Sequence, residues 1–273
     1  MSEHNPGTLT RTDNGVTREL VVCEDATALV AAIDARFELV VAELLSTQEL
    51  VHIVLTGGTI GIALLRPLDT ENRLDWSRIH VWWGDERWVP AGHADRNESQ
   101  ATEALLHRLP IPHDNVHRFA ASDAGLTLDQ AARAYQSELE SFAPPLARAD
   151  FLGATFNGTE AFRTPTFDIT LLGVGPDAHV ASLFPGRNGV LAQNASVIAV
   201  RDSPKPPAER LSLTLPVINA SARVWVVAAG ADKAEAMKQA FTASDATTAP
   251  VSGVYGTLET VFLTDTAAAA SLT

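Results

Sequence analysis

The residues best suited to moving a proton are Asp177 and His179, in the run Gly173-Val174-Gly175-Pro176-Asp177-Ala178-His179. Histidine exchanges protons near neutral pH. A carboxylate two residues away can orient its ring or raise its basicity, and glycines let backbone approach a ligand closely. The apolar stretch Phe167 to Leu172 comes just before, so the pair sits at a strand end. A lone histidine is more often structural, but this setting points to a general base. No second histidine or cysteine stands at ligand spacing to His179, so neither a metal nor any other cofactor is expected.

Three more clusters could hold the substrate of such a base. In Thr56-Gly57-Gly58-Thr59-Ile60-Gly61, amides at a helix start and two hydroxyls would make an anion site. The same residues also suit a tight turn with no ligand. They match neither the P-loop nor the dinucleotide glycine spacing. In Gly84-Asp85-Glu86-Arg87-Trp88-Val89-Pro90, Arg87 either pairs with an acid to stiffen the turn or forks onto a phosphate. Asp85 and Glu86 are candidates for sugar hydroxyls or for supporting contacts, and Asn97 either caps the next helix or touches substrate. Asp202 to Arg210 is a loop with three prolines, which hold its backbone. Lys205 and Arg210 there form either a phosphate clamp or part of an exposed loop.

These clusters need a frame. Apolar, β-prone runs at 51–55, 79–83, 167–172 and 223–229 each lead into glycine and polar residues. Helical patterns lie between them, at 25–45, 60–66, 97–109, 126–142 and 231–242, and a further strand is expected at 211–215. Alternation of this kind predicts an α/β fold, a mostly parallel, modified Rossmann-like sheet with helices on both faces. Ligands of such sheets bind beyond the carboxyl ends of the strands, near a switch point, which would bring the clusters to one crevice. Residues 143–166, with Pro144-Pro145 and Asn157-Gly158, read as a long loop or insertion.

Composition bounds the rest. The 273 residues are 46% hydrophobic and 19% charged, and the formal charge is −13. A single domain spanning 1–273 is expected, with 1–15 and 267–273 as flexible tails. The negative field disfavours nucleic acid and anionic membrane as partners. Cys23 is the sole cysteine, so no disulfide framework exists and a buried thiol is expected. With no signal peptide or membrane-length apolar run in view, the expected location is cytoplasmic.

Taken in order, these motifs resemble the bacterial 6-phosphogluconolactonase family. The matching residues are Leu55-Thr56-Gly57-Gly58-Thr59, Trp83 to Pro90 with Asn97, Leu172 to His179 with Ser182-Leu183-Phe184-Pro185-Gly186, and Ser203 to Pro207 with Arg210 to Pro216. The resemblance implies hydrolysis of 6-phospho-glucono-1,5-lactone, with His179 as general base and Arg87, Lys205 and Arg210 around the phosphate. The implied partner is this small molecule, bound by a monomer or weak homodimer. Ala178 departs from the family's usual glycine, and a positive φ there would cost alanine about 1 kcal/mol. Two alternatives remain. A glucosamine-6-phosphate deaminase/isomerase would carry a glutamate where Phe184 stands, and a non-catalytic sugar-phosphate sensor would need an attached DNA-binding unit.

Overall fold

Runs of β-branched and aromatic residues too apolar to face water force a sheet covered on both sides. Every residue of β3 (Val51–Leu55) and β4 (Ile79–Trp83) is buried. The computed structural model describes residues 7–13, 16–69, 73–144, 163–243 and 245–272. The other strands are β1 (Gly7–Asp13), β2 (Val16–Cys23), β5 (Asp85–Arg87), β6 (Ile169–Gly173), β7 (Val197–Val200), β8 (Arg210–Leu213), β9 (Arg223–Ala228) and β10 (Glu259–Asp265). The helices are α1 (Ala26–Thr47), α2 (Gly58–Leu65), α3 (Asn97–Ala104), α4 (Leu128–Ser141), α5 (Leu215–Asn219) and α6 (Ala234–Thr242).

Seven strands form the main sheet, in the order β1-β2-β10-β9-β6-β3-β4. All neighbours are parallel except β1 and β2. The expected α/β class is thus the observed one. From β3 the chain moves outward to β4, then returns to lay β6 on the other side of β3. That reversal is the switch point, and the loops following β3 and β6 hold Gly57-Gly58 and Asp177 with His179.

Three strands form a separate antiparallel sheet, β5-β8-β7, which the sequence reading did not anticipate. Gly84 alone separates β4 from β5. Its carbonyl accepts from the Leu213 amide at 2.8 Å, and its own amide donates to the Leu55 carbonyl at 3.1 Å. Both sheets are fastened at this residue.

Local signals explain several helix starts. The Asp25 side chain accepts from the Ala28 amide at 2.8 Å at the start of α1, and Thr127 with Gln130 makes a capping box for α4. The pattern at 97–109 breaks into α3 and a 3-10 turn at Leu106–Arg108. The strand expected at 211–215 ends at Leu213, because Leu215 and Pro216 open α5.

The described parts of both expected tails are built into the fold. Gly7–Asp13 pairs along its length with β2, an edge strand needing only backbone partners. At the other end the Asp265 carboxylate accepts from the Ala268 amide at 2.8 Å, and Ala268 is fully buried, so residues 267–272 fold back onto the core. Most of the segment read as an insertion, 145–162, lies outside the described residues. Among those described, no helix is long and apolar enough to cross a membrane. Cys23 is free and buried.

Candidate active site

The loop after β6 is a tight turn. The Gly175 amide donates to the His179 carbonyl and the Ala178 amide to the Gly175 carbonyl, both at 2.9 Å. Ala178 has φ 65° and Ala181 φ 49°, so the turn uses two left-handed residues with side chains. The departure from glycine at 178 leaves the positive φ in place. Gly175 is required for a different reason. A Cβ there would lie 2.0 Å from the His179 ring and 2.5 Å from Asp177 Oδ1.

The turn brings the two side chains together. His179 Nδ1 and Asp177 Oδ1 are 2.5 Å apart, which leaves Nε2 as the ring nitrogen available to a ligand. Phe184 lies against the ring, tilted by 37° with 4.6 Å between centroids. Lys205 Nζ donates to Asp177 Oδ1 at 3.1 Å and lies 3.4 Å from His179 Nδ1. Burial opposes a charged Asp177, but the His179 hydrogen bond and charge, then those of Lys205, outweigh it. The carboxyl is held well below the usual range and stays ionised.

The other candidates divide between frame and pocket. Glu86 is a buried helix cap: its carboxylate accepts from the amides of Arg87 (2.8 Å), Asn97 (2.7 Å) and Glu98 (2.9 Å) at the positive end of α3. Burial pushes its carboxyl up to about 7, against the pull of Arg96 and these amides. Asp85 is buried too, accepting from Asn97 Nδ2 at 3.1 Å and Ser182 Oγ at 2.7 Å. Asn97 caps nothing; its Nδ2 is held by Asp85 and its side chain packs against Gly57, where a Cβ would fall 1.8 Å from Asn97 Oδ1.

Arg210 is likewise part of the frame. Its guanidinium donates to the carbonyls of Lys205, Pro206 and Pro207, each at 3.2 Å, and sits 5.6 Å over the Phe184 ring. It shapes the loop that presents Lys205. Arg87 is the expected phosphate residue that does line an open cavity, of about 580 Å³. One wall is α2, from Gly58 and Thr59 to Arg66, and Arg87 and Gln100 face it. Arg87 Nη1 donates to the Asp95 carbonyl at 2.7 Å. Neither Lys205 nor Arg210 reaches this cavity, so the three expected phosphate cations do not converge on it.

Sequence reasoning assigned no role to Ser182, which joins the His179 loop to Asp85, and did not single out Arg66, which lines the cavity. Arg66 follows Thr59, Ile62 and Ala63 at helical spacing, and that signal could have found it. Among the described residues no three His, Cys, Asp or Glu side chains gather into a metal cluster.

This arrangement has known counterparts. Residues 24–262 match the family described as glucosamine-6-phosphate isomerases/6-phosphogluconolactonase. The 6-phosphogluconolactonase of Streptomyces coelicolor is 41% identical over 94% of this chain and 95% of its own length. That of Mycobacterium tuberculosis is 40% identical over 94% and 99%. Among solved structures, the 6-phosphogluconolactonase of Trypanosoma brucei superposes with a TM-score of 0.77 at 27% identity, covering 93% of this chain and 98% of its own. A monomeric glucosamine-6-phosphate deaminase gives 0.70 at 19% identity and shares the fold. The chain belongs to the glucosamine-6-phosphate isomerase/6-phosphogluconolactonase family.

Proposed function

We propose that the chain hydrolyses 6-phospho-glucono-1,5-lactone to 6-phosphogluconate, the lactone step of the oxidative pentose phosphate pathway. The observation that carries the mechanism is the Asp177–His179–Lys205 contact at the switch point. A δ-lactone is an activated ester and needs no covalent nucleophile. Water adds to C1 while His179 Nε2 takes its proton, and Asp177 stabilises the imidazolium through Nδ1. The C1 oxyanion then collapses, the bond from C1 to the ring oxygen breaks, and Nε2 returns the proton to that oxygen. The product acid ionises to the carboxylate.

Lys205 offers positive charge beside the carbon where negative charge develops, and glycine-turn amides supply further donors. Arg87, with the Gly58 and Thr59 amides, holds the phosphate, so remote binding energy fixes the carbonyl against the base. The deaminase alternative is weaker, since Phe184, fully buried against the imidazole, stands where those relatives carry glutamate. The protein is assigned to the cytoplasm as a monomer or weak homodimer, which size-exclusion chromatography checks.

The test is a coupled assay with freshly prepared lactone and 6-phosphogluconate dehydrogenase. Wild-type protein should exceed the spontaneous rate, and His179→Ala should lose about 10²–10⁴-fold while still binding 6-phosphogluconate. Full activity in that variant sinks the assignment of the base. Ammonia release from glucosamine 6-phosphate would redirect the function.

A further inference from the structure

We propose that Arg66 is a second cationic contact for the ligand's phosphate and sets the preference for phosphorylated over unphosphorylated lactone. This rests on the lactonase reading and extends it to a residue outside the motifs that led there.

Thr59, Ile62, Ala63 and Arg66 all line the cavity, at the i, i+3, i+4, i+7 spacing of one helix face. Arg66 thus completes a stripe that starts at the anion-binding end of α2. Its guanidinium has no side-chain or carbonyl partner among the described residues. The usual work of an arginine at a helix end, holding the last carbonyls, is done by Arg108 instead. Arg108 Nη2 donates to the Arg66 carbonyl at 3.0 Å and the Leu65 carbonyl at 3.4 Å. Arg66 is therefore exposed and uncommitted, at the end of a helix another residue secures.

Arg87 reaches the same cavity from β5, across from α2. Two arginines line one space that no acidic residue lines, in a chain of net charge −13. Like charges gathered without counter-charge repel, and a dianion between them relieves the repulsion. Guanidinium forks match phosphate oxygens in pairs. A hydroxyl in the phosphate's place would leave the Arg66 fork unmatched, while Arg87 keeps its bond to the Asp95 carbonyl, which is how Arg66 discriminates.

The deciding quantity is the ratio of kcat/KM for 6-phosphogluconolactone to kcat/KM for glucono-1,5-lactone. Arg66→Ala should lower that ratio about tenfold, as expected for loss of a charge-assisted hydrogen bond, and Arg66→Lys should restore part of it. An unchanged ratio overturns the proposal. Calorimetric titration of inorganic phosphate reads the pocket without catalysis. Binding weakened about tenfold in Arg66→Ala supports the proposal; equal binding in both proteins, or none in wild type, overturns it. A wild type that leaves both lactones at their spontaneous rate sinks the lactonase reading, and the phosphate titration then decides Arg66 alone.

Discussion

At Gly175 the His179 imidazole fills the volume that any other residue's Cβ would occupy, with ring atoms 2.0 Å from that point. Gly175→Ala should push the ring off Asp177 and away from the substrate. A misplacement of about 1 Å costs roughly 10²-fold in rate, so kcat in the coupled assay should fall by that order. Circular dichroism should stay native, since Gly175 is not among the positive-φ glycines. Unimpaired turnover would mean that the ring's contact with Asp177 is dispensable. His179 and Asp177 were legible in the sequence because the strand, the turn and both side chains are contiguous. Lys205 was legible only as a cation in a rigid loop. Its place beside His179 and Asp177 joins residues 26 and 28 positions apart in the chain, which no local pattern encodes. Which of its two readings Glu86 would take was hidden for the same reason: its carboxylate serves the start of a helix eleven residues further on.

Where β3, β4 and α4 meet, three histidines are buried outside the active site. Trp82 Nε1 donates to His52 Nδ1 at 3.1 Å, His80 Nδ1 and His117 Nε2 are 2.9 Å apart, and His117 Nδ1 is 2.7 Å from Glu138 Oε1. His52 Nδ1 accepts, so its ring is neutral, and a proton there would set two donors face to face. Burial, then the neighbouring histidine charges, pulls His52 down to about 3, and burial with His117 pulls His80 to about 4. The unfolded chain thus binds more protons below about pH 6.5. Stability from these rings is complete above that pH and drains away as pH falls towards 4 and 3. Glu86, raised to about 7, opposes this with one proton against two. The melting temperature should therefore drop between pH 6.5 and 4.5, and His80→Leu should flatten the slope. A midpoint insensitive to pH over that window would contradict this account. Short, nearly continuous apolar runs made these strands legible, but which histidines meet depends on register, as in His52 opposite His80.

For the molecule as a whole, the least legible feature was the small sheet. Asp85-Glu86-Arg87 looks like a polar turn, yet it is strand β5, paired with Arg210–Ser212 of β8. Only that distant partner makes it a strand. The register sets Arg87 opposite Arg210, so the cation that faces the pocket and the cation that shapes the Lys205 loop share one small frame. His179 belongs to the other sheet.

Gly84, pinned by one hydrogen bond to each side, is where the two frames are joined. A sugar phosphate gripped by Arg87 at one end and met by His179 at the other would act as a strut across that joint. Mass action then makes the ligand a stabiliser of the joint itself, by about 2.7 kcal/mol at a hundredfold excess over Kd. Adding 6-phosphogluconate should raise the melting temperature and slow amide hydrogen exchange at Gly84 and Leu213. Inorganic phosphate, which can lie between Arg87 and α2 but does not extend to His179, should stabilise the fold while slowing exchange there less. Equal protection by both would show that the contact at His179 adds nothing to the strut.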